Sequence, residues 1–112
     1  WSSDVCSSDL KGASILAAQT KLDSDDLKLL SDQLFSQFDV VALANDAEGR
    51  PSILIRVKPN HIANFDAGKL IKAVAPIIEG SGGGKAESAQ AGGKNVAKLG
   101  EALEEVKRLI RG

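Results

Sequence analysis

The stretch GSGGGKAESAQAGGK at 80–94 holds six glycines in fifteen residues, at 80, 82, 83, 84, 92 and 93, with Lys85 and Lys94 beside them. Glycine weakens regular elements and has no side chain to bury, so packing does not explain this density. What glycine does supply is access to positive φ and room for backbone N–H groups to approach a ligand. With two flanking lysines, the segment has the ingredients of an anion or phosphate cradle. The plain alternative is a flexible connector between two helices. Two sharper nucleotide motifs fail on spacing. A phosphate-binding loop ending at Gly84–Lys85 would need glycine at 79 and Ser or Thr at 86, where the chain has Glu79 and Ala86. A dinucleotide fingerprint starting at Gly80 would need glycine at 85, which is Lys85. Both also require a leading strand, and a proline-containing helical pattern precedes this run.

Little else in the chain is equipped for chemistry. His61 is the sole histidine and Cys6 the sole cysteine, which removes disulfide frameworks, multi-cysteine zinc sites and Cys-His catalysis. His61 sits in the polar stretch KPNHIANFD and reads as a loop residue rather than a ligand or base. The pairs Asp25/Asp26 and Glu104/Glu105 fall at a helix start and on a solvated face, not in a dyad. Arg56 and Lys58 share a strand face with Leu54, open between phosphate contact and edge-strand charge. Fourteen basic against fifteen acidic residues give a net charge of −1, so any nucleic-acid surface must be local. Aromatics are 4% with no Tyr, which weakens a base-stacking platform. No apolar run approaches the roughly 20 residues of a membrane span, so no membrane partner is expected. No catalytic residue, metal or cofactor is expected either. A small cytoplasmic binding domain fits these limits.

The elements that must position this segment are legible upstream and downstream. ASILAAQT at 13–20 suits a strand. Asp23 to Asp26 supply capping side chains and negative charge for a helix start, followed by Leu27, Leu30, Leu34 and Phe38 on one face. VVALA at 40–44 is the pattern of a strand buried on both faces, and SILIRVK at 52–58 is its hairpin return across NDAEGRP. Strand, helix, strand in that order predicts a right-handed parallel crossover. Asp66 caps a second helix with a stripe of Ala67, Leu70, Ile71, Val74 and Ile78, which Pro76 kinks or ends near residue 75. Val96, Leu99, Leu103, Val106 and Ile110 form the stripe of a last, long helix. That stripe serves either intradomain packing or self-association through the C-terminal helix. The expected fold is a single α/β domain at 11–112, a mixed β-sheet packed against α-helices with a long C-terminal helix.

Residues 1–10, WSSDVCSSDL, follow neither period. Back-translated, they resemble a common sequencing adapter; the alternative is a natural Ser-rich tail. As adapter read-through they are expected to be non-native and disordered, and the chain to be the tail of a longer protein.

The 80–94 segment followed by an amphipathic helix resembles the C-terminal signature of bacterial alanyl-tRNA synthetases. Gly82, Gly83, Gly84 and Lys85 match its glycine run and basic residue, and Ala89, Gln90, Ala91, Gly92 and Gly93 its second part. DAGKLIK at 66–72 resembles the preceding helix start, so the likeness covers essentially all of 11–112. Ser81 interrupts the run, and Lys85 stands where Arg is common, giving a point charge in place of a bidentate grip. The resemblance implies a DHH-associated domain that binds alanine-specific tRNA and helps position the aminoacylation and editing domains of a parent alanine–tRNA ligase. It implies Gly82, Gly83, Gly84, Lys85, Gln90, Gly92, Gly93 and Lys94 as the nucleic-acid-binding residues. The alternative is the nucleic-acid or nucleotide-binding domain of a DHH-family phosphoesterase, which usually carries Gly-Gly-His here; no His lies between 80 and 94. Either way this chain alone lacks catalytic domains. Supplied with ATP, alanine and tRNA, or with an oligonucleotide and manganese, the purified chain is expected to show no turnover. Sustained turnover lost on Lys85→Ala or His61→Ala would overturn the binding-module reading.

Overall fold

The computed structural model describes residues 5–10, 13–47, 49–63 and 65–111. Its elements are β1 (Val5–Leu10), β2 (Ala13–Thr20), α1 (Ser24–Gln37), β3 (Val40–Ala47), β4 (Arg50–Val57), α2 (Ala67–Val74), β5 (Ser81–Gly84), β6 (Ser88–Gly92) and α3 (Leu99–Arg111). The strands form one mixed sheet in the order β1-β2-β3-β4-β6-β5. β2 and β3 run parallel around the α1 crossover, and the other neighbours are antiparallel.

Alternation along each strand sorts the core into two layers. Ile15, Ala17, Val40, Ala42, Ile53, Ile55, Ala89 and Ala91 face α2 and α3, while Leu16, Ala18, Val41, Leu43 and Leu54 face α1. Val40 to Ala44 are wholly buried, as a continuous apolar run requires of a strand covered on both sides. α2 is capped by Asp66, whose Oδ1 accepts the Lys69 N–H at 3.1 Å, and gives way at Ala75 to a 3-10 turn carrying Pro76. In α3 the stripe Leu99, Leu103, Val106 and Ile110 is no more than 2% exposed. Of the two uses open to that stripe, it therefore serves packing within the domain.

Two expectations are corrected. Val5–Leu10 is not disordered: it pairs antiparallel with β2 from Val5↔Ala18 to Leu10↔Ala13. Residues 1–4 lie outside the described residues. β2 offers an edge of eight residues without a charge or a proline, the kind that accepts any extended segment through its backbone. Such pairing bears on order, not on the origin of the residues. Nor is 80–94 a loop; it is the β5–β6 hairpin. Four of its glycines are there for packing after all. A Cβ at Gly93 would lie 2.2 Å from the Ile78 carbonyl oxygen, and one at Gly80 2.0 Å from that of Gly92. Gly82 and Gly84 likewise abut β6. Gly83 and Gly92 have nothing within 4 Å.

Side chains fasten both ends of the parallel pair. Buried Asn45 accepts from Thr20 Oγ1 and the Leu22 N–H, and donates to the Leu22 carbonyl, each at 2.8 Å. At the other end Asp39 exchanges backbone and side-chain bonds with Ser14: its N–H donates to the Ser14 carbonyl at 2.8 Å and its Oδ2 accepts the Ser14 N–H at 3.1 Å. Lys58 and His61 face the same carboxylate at 3.6 and 3.5 Å. The Ser14 N–H, then the charges of His61 and Lys58, hold the Asp39 carboxyl below its ordinary 3.8 against partial desolvation.

Two predictions result. A group with a lowered native pKa stabilises the fold above its unfolded value and loses that contribution as pH falls through the native one. Asp39→Asn should therefore be less stable than the unchanged chain at neutral pH and converge with it as the pH falls through the carboxyl's lowered pKa; parallel pH–stability curves would refute the assignment. Gly93→Ala should cost about 1–3 kcal/mol by overpacking, lowering Tm by roughly 4–8 °C per kcal/mol. Gly83→Ala should leave the thermal melt within about 0.5 kcal/mol of the original, and equal losses for the two would contradict the geometry.

Candidate nucleic-acid interface

α1 shields its side of the sheet only as far as β4. On β6 the buried Ala89 and Ala91 point toward α2, so Ser88, Gln90 and Gly92 are left exposed on the side that α1 fails to reach. Cross-strand register lines these up with β4 and β5: Arg56 beside Ser88, Leu54 beside Gln90 beside Gly83, and Ser52 beside Gly92 beside Ser81. Lys28 and Asp32 of α1 form one wall of the resulting trough of about 560 Å³. Arg56 lies on its floor, and Gly83, Lys85 and Gln90 on the far side.

The trough's chemistry is cationic and flat. Arg56 is held by an ion pair with Asp32 and stacks on Phe35, with its guanidinium carbon 4.3 Å from the ring centroid. Among the described residues neither Lys28 nor Lys85 has a carboxylate partner. Gly83 presents bare backbone. Neither crowding nor a positive φ calls for glycine there, and a strand glycine in open space leaves room for a close approach. Lys85 sits in the hairpin turn, where its N–H donates to the Ser88 carbonyl at 2.8 Å. The Ala86 carbonyl next door takes the Ala67 N–H at 3.0 Å, which seats the turn on the start of α2.

The eight residues expected to bind do not all converge. Gly83, Gly84, Lys85 and Gln90 line the trough, with Gly92 further along the same face. Gly82 points to the opposite face, against Ala91. Gly93 and Lys94 lie at the far end of the hairpin, where the Lys94 and Asn95 N–H groups both reach the Ile78 carbonyl at 3.0 Å. The five residues of β6 alone separate the two lysines by roughly 13 Å, so they flank a surface rather than a single cradle. Sequence reasoning missed Lys28 and Asp32, although their i, i+4 spacing beside the apolar stripe already put them on one side of α1. Arg56 was visible as a strand charge of the same parity as Leu54, open between phosphate contact and edge-strand charge. His61 faces Asp39, outside the trough. Among the described residues no group of three or more His, Cys, Asp or Glu could hold a metal ion, and no helix is long and apolar enough to cross a membrane.

Known proteins resemble most of this chain. An alanine–tRNA ligase of Anaeromyxobacter dehalogenans is 41% identical over 103 residues, which are 90% of this chain and 11% of that protein. One of Desulfitobacterium hafniense is 40% identical over 106 residues, 92% of this chain and 12% of the relative. The chain thus spans about a tenth of the length of these relatives. The solved C-Ala domain from Aquifex aeolicus alanyl-tRNA synthetase has the same fold, with a TM-score of 0.81 at 24% identity, covering 96% of this chain and 99% of that one. A DHH-domain protein described as a member of the s1p family of ribosomal proteins superposes more loosely, with a TM-score of 0.60 at 17% identity over 96% of this chain and 28% of its own. The DHHA1 domain profile matches residues 12–112, and the chain belongs to the DHHA1 domain family.

Proposed function

We propose that this domain is the C-terminal tRNA-binding module of an alanine–tRNA ligase. It contacts the backbone of alanine-specific tRNA and helps bring the aminoacylation and editing domains of the parent enzyme to one substrate. The observation that carries the reading is the uncovered hairpin face, where unpartnered Lys28 and Lys85 and the floor residue Arg56 surround a surface without side chains at Gly83. Such a surface suits a phosphodiester backbone, since cations supply affinity and fix register without reading bases. Similarity of about 40% to alanine–tRNA ligases supports tRNA over other polyanions. The module would work in the cytoplasm beside the rest of the synthetase and would need no cofactor of its own. A nucleic-acid-binding domain of a DHH-family phosphoesterase is the second reading, favoured by the looser likeness to a DHH-domain protein. The lack of His in 80–94 weighs against it.

Lys85→Ala is expected to weaken tRNA binding across tRNA sequences alike and to flatten the salt dependence by about one counterion. Lys94→Ala, at the other end of the hairpin, should add to that loss rather than overlap with it. Titration of a labelled tRNA at several salt concentrations measures both. Unchanged affinity and slope in the double variant would leave a domain-bridging role without RNA. Preference for a short single-stranded oligonucleotide over tRNA would favour the phosphoesterase reading.

A further inference from the structure

The ion pair on the trough floor is lopsided. Arg56 rises from the next-to-last position of β4 with its side chain 26% exposed and its guanidinium backed by the Phe35 ring. Asp32 is 69% exposed, and among the described residues its carboxylate has no partner but Arg56. Exposed pairs of this kind are weak, so another anion can replace the carboxylate. The guanidinium fork takes a carboxylate and a phosphate through the same arrangement of two acceptor oxygens. If Asp32 leaves, Phe35 still holds the guanidinium in place. Lys28, one turn earlier on α1, and Lys85 across the trough already add positive charge that Asp32 alone offsets within this lining.

We propose that Asp32 is an internal stand-in for a phosphate: its carboxylate occupies the anion seat on Arg56, and an RNA phosphodiester entering the trough displaces it. The inference rests on the trough being the RNA-facing surface. It also supplies a selectivity that surface did not have. A single small anion must compete with a tethered carboxylate at close to equal terms. A polynucleotide arrives with neighbouring phosphates for Lys28 and Lys85 and wins the seat.

The test is a double-variant cycle with a tRNA transcript, read by fluorescence anisotropy at fixed salt. Asp32→Asn should tighten binding about two- to five-fold, the range an exposed pair can contribute. In an Arg56→Ala background the same substitution should bring no gain. Asp25→Asn, an exposed acid on the same helix away from the trough, should change little. An equal gain in both backgrounds would reduce Asp32 to general charge repulsion, and a loss on Asp32→Asn would make it a positioning residue; either overturns the proposal. A second arm does not depend on RNA: titration with inorganic phosphate, followed at the Arg56 side-chain Nε–H by NMR. Asp32→Asn should respond at lower phosphate concentration than the unchanged chain. Equal responses, or none at Arg56, would overturn the stand-in. Absence of tRNA binding with a phosphate response intact would instead overturn the proposed function alone.

Discussion

The register of β2 against β3 is the constraint from which the rest of the molecule follows. Antiparallel neighbours can inherit register from a tight turn, but a parallel pair is joined by a long crossover that leaves the two strands free to slip. A slip by one residue would turn Leu16 and Ala18 toward α2 and α3, and Ile15 and Ala17 toward α1. Asn45 and Asp39 prevent it from opposite ends by binding backbone groups of the other strand's termini. Asn45 is the more telling of the two, because a fully buried amide is tolerable only with its bonds made, and it makes three. The position of α1 follows from that register, and the wall of the trough follows from α1.

The proposed interface on this scaffold comes from incomplete coverage. One side of the sheet is buried beneath α2 and α3 from β2 through β4 to β6. The other is covered by a single helix that stops at β4, so the hairpin beyond it has one greasy side and one bare side. The glycines divide accordingly. Gly80 and Gly93 let the hairpin press backbone to backbone against itself and the 3-10 turn after α2, whereas Gly83 and Gly92 leave the outer side without relief. The compositional oddity that drew attention to 80–94 therefore has two causes. Close packing explains one group, and surface shape explains the other.

What the sequence disclosed follows the same division. Helix stripes, the cap at Asp66, the break at Pro76 and the β3–β4 hairpin were legible because each is a local pattern with a local cause. The β5–β6 hairpin was not, because three glycines in Ser81–Gly84 carry almost no strand preference. Its pairing comes from β4 and α2, which sit far away in sequence. The alternation of Ala89 and Ala91 with Ser88, Gln90 and Gly92 was a period-2 signal hidden under the glycine count. Part of the candidate site was within reach for the same reason: Gly83, Lys85 and Gln90 belong to the hairpin itself. Arg56, Lys28 and Asp32 join them only through cross-strand register and helix placement. Lys94 looked like a partner of Lys85 because nearness in a loop was assumed, and a strand stretches that distance. Val5–Leu10 had no signal at all, since its place in the sheet depends on backbone groups that every residue type carries.

The outer edge at β5 has a bearing on solubility. A sheet margin displays unpaired amide and carbonyl groups, and a long apolar one invites other chains to extend it into aggregates. Here the margin is four residues, three of them glycine, with only the small Ser81 side chain to grip an incoming strand and a backbone that loses much entropy on being fixed. Self-recruitment along that rim is therefore disfavoured even though the rim lies in the open. Binding surfaces usually trade stickiness toward a ligand against stickiness toward copies of themselves. A bare glycine rim lessens that conflict, because it leaves room for a ligand backbone at close range while giving a neighbouring sheet almost nothing to hold.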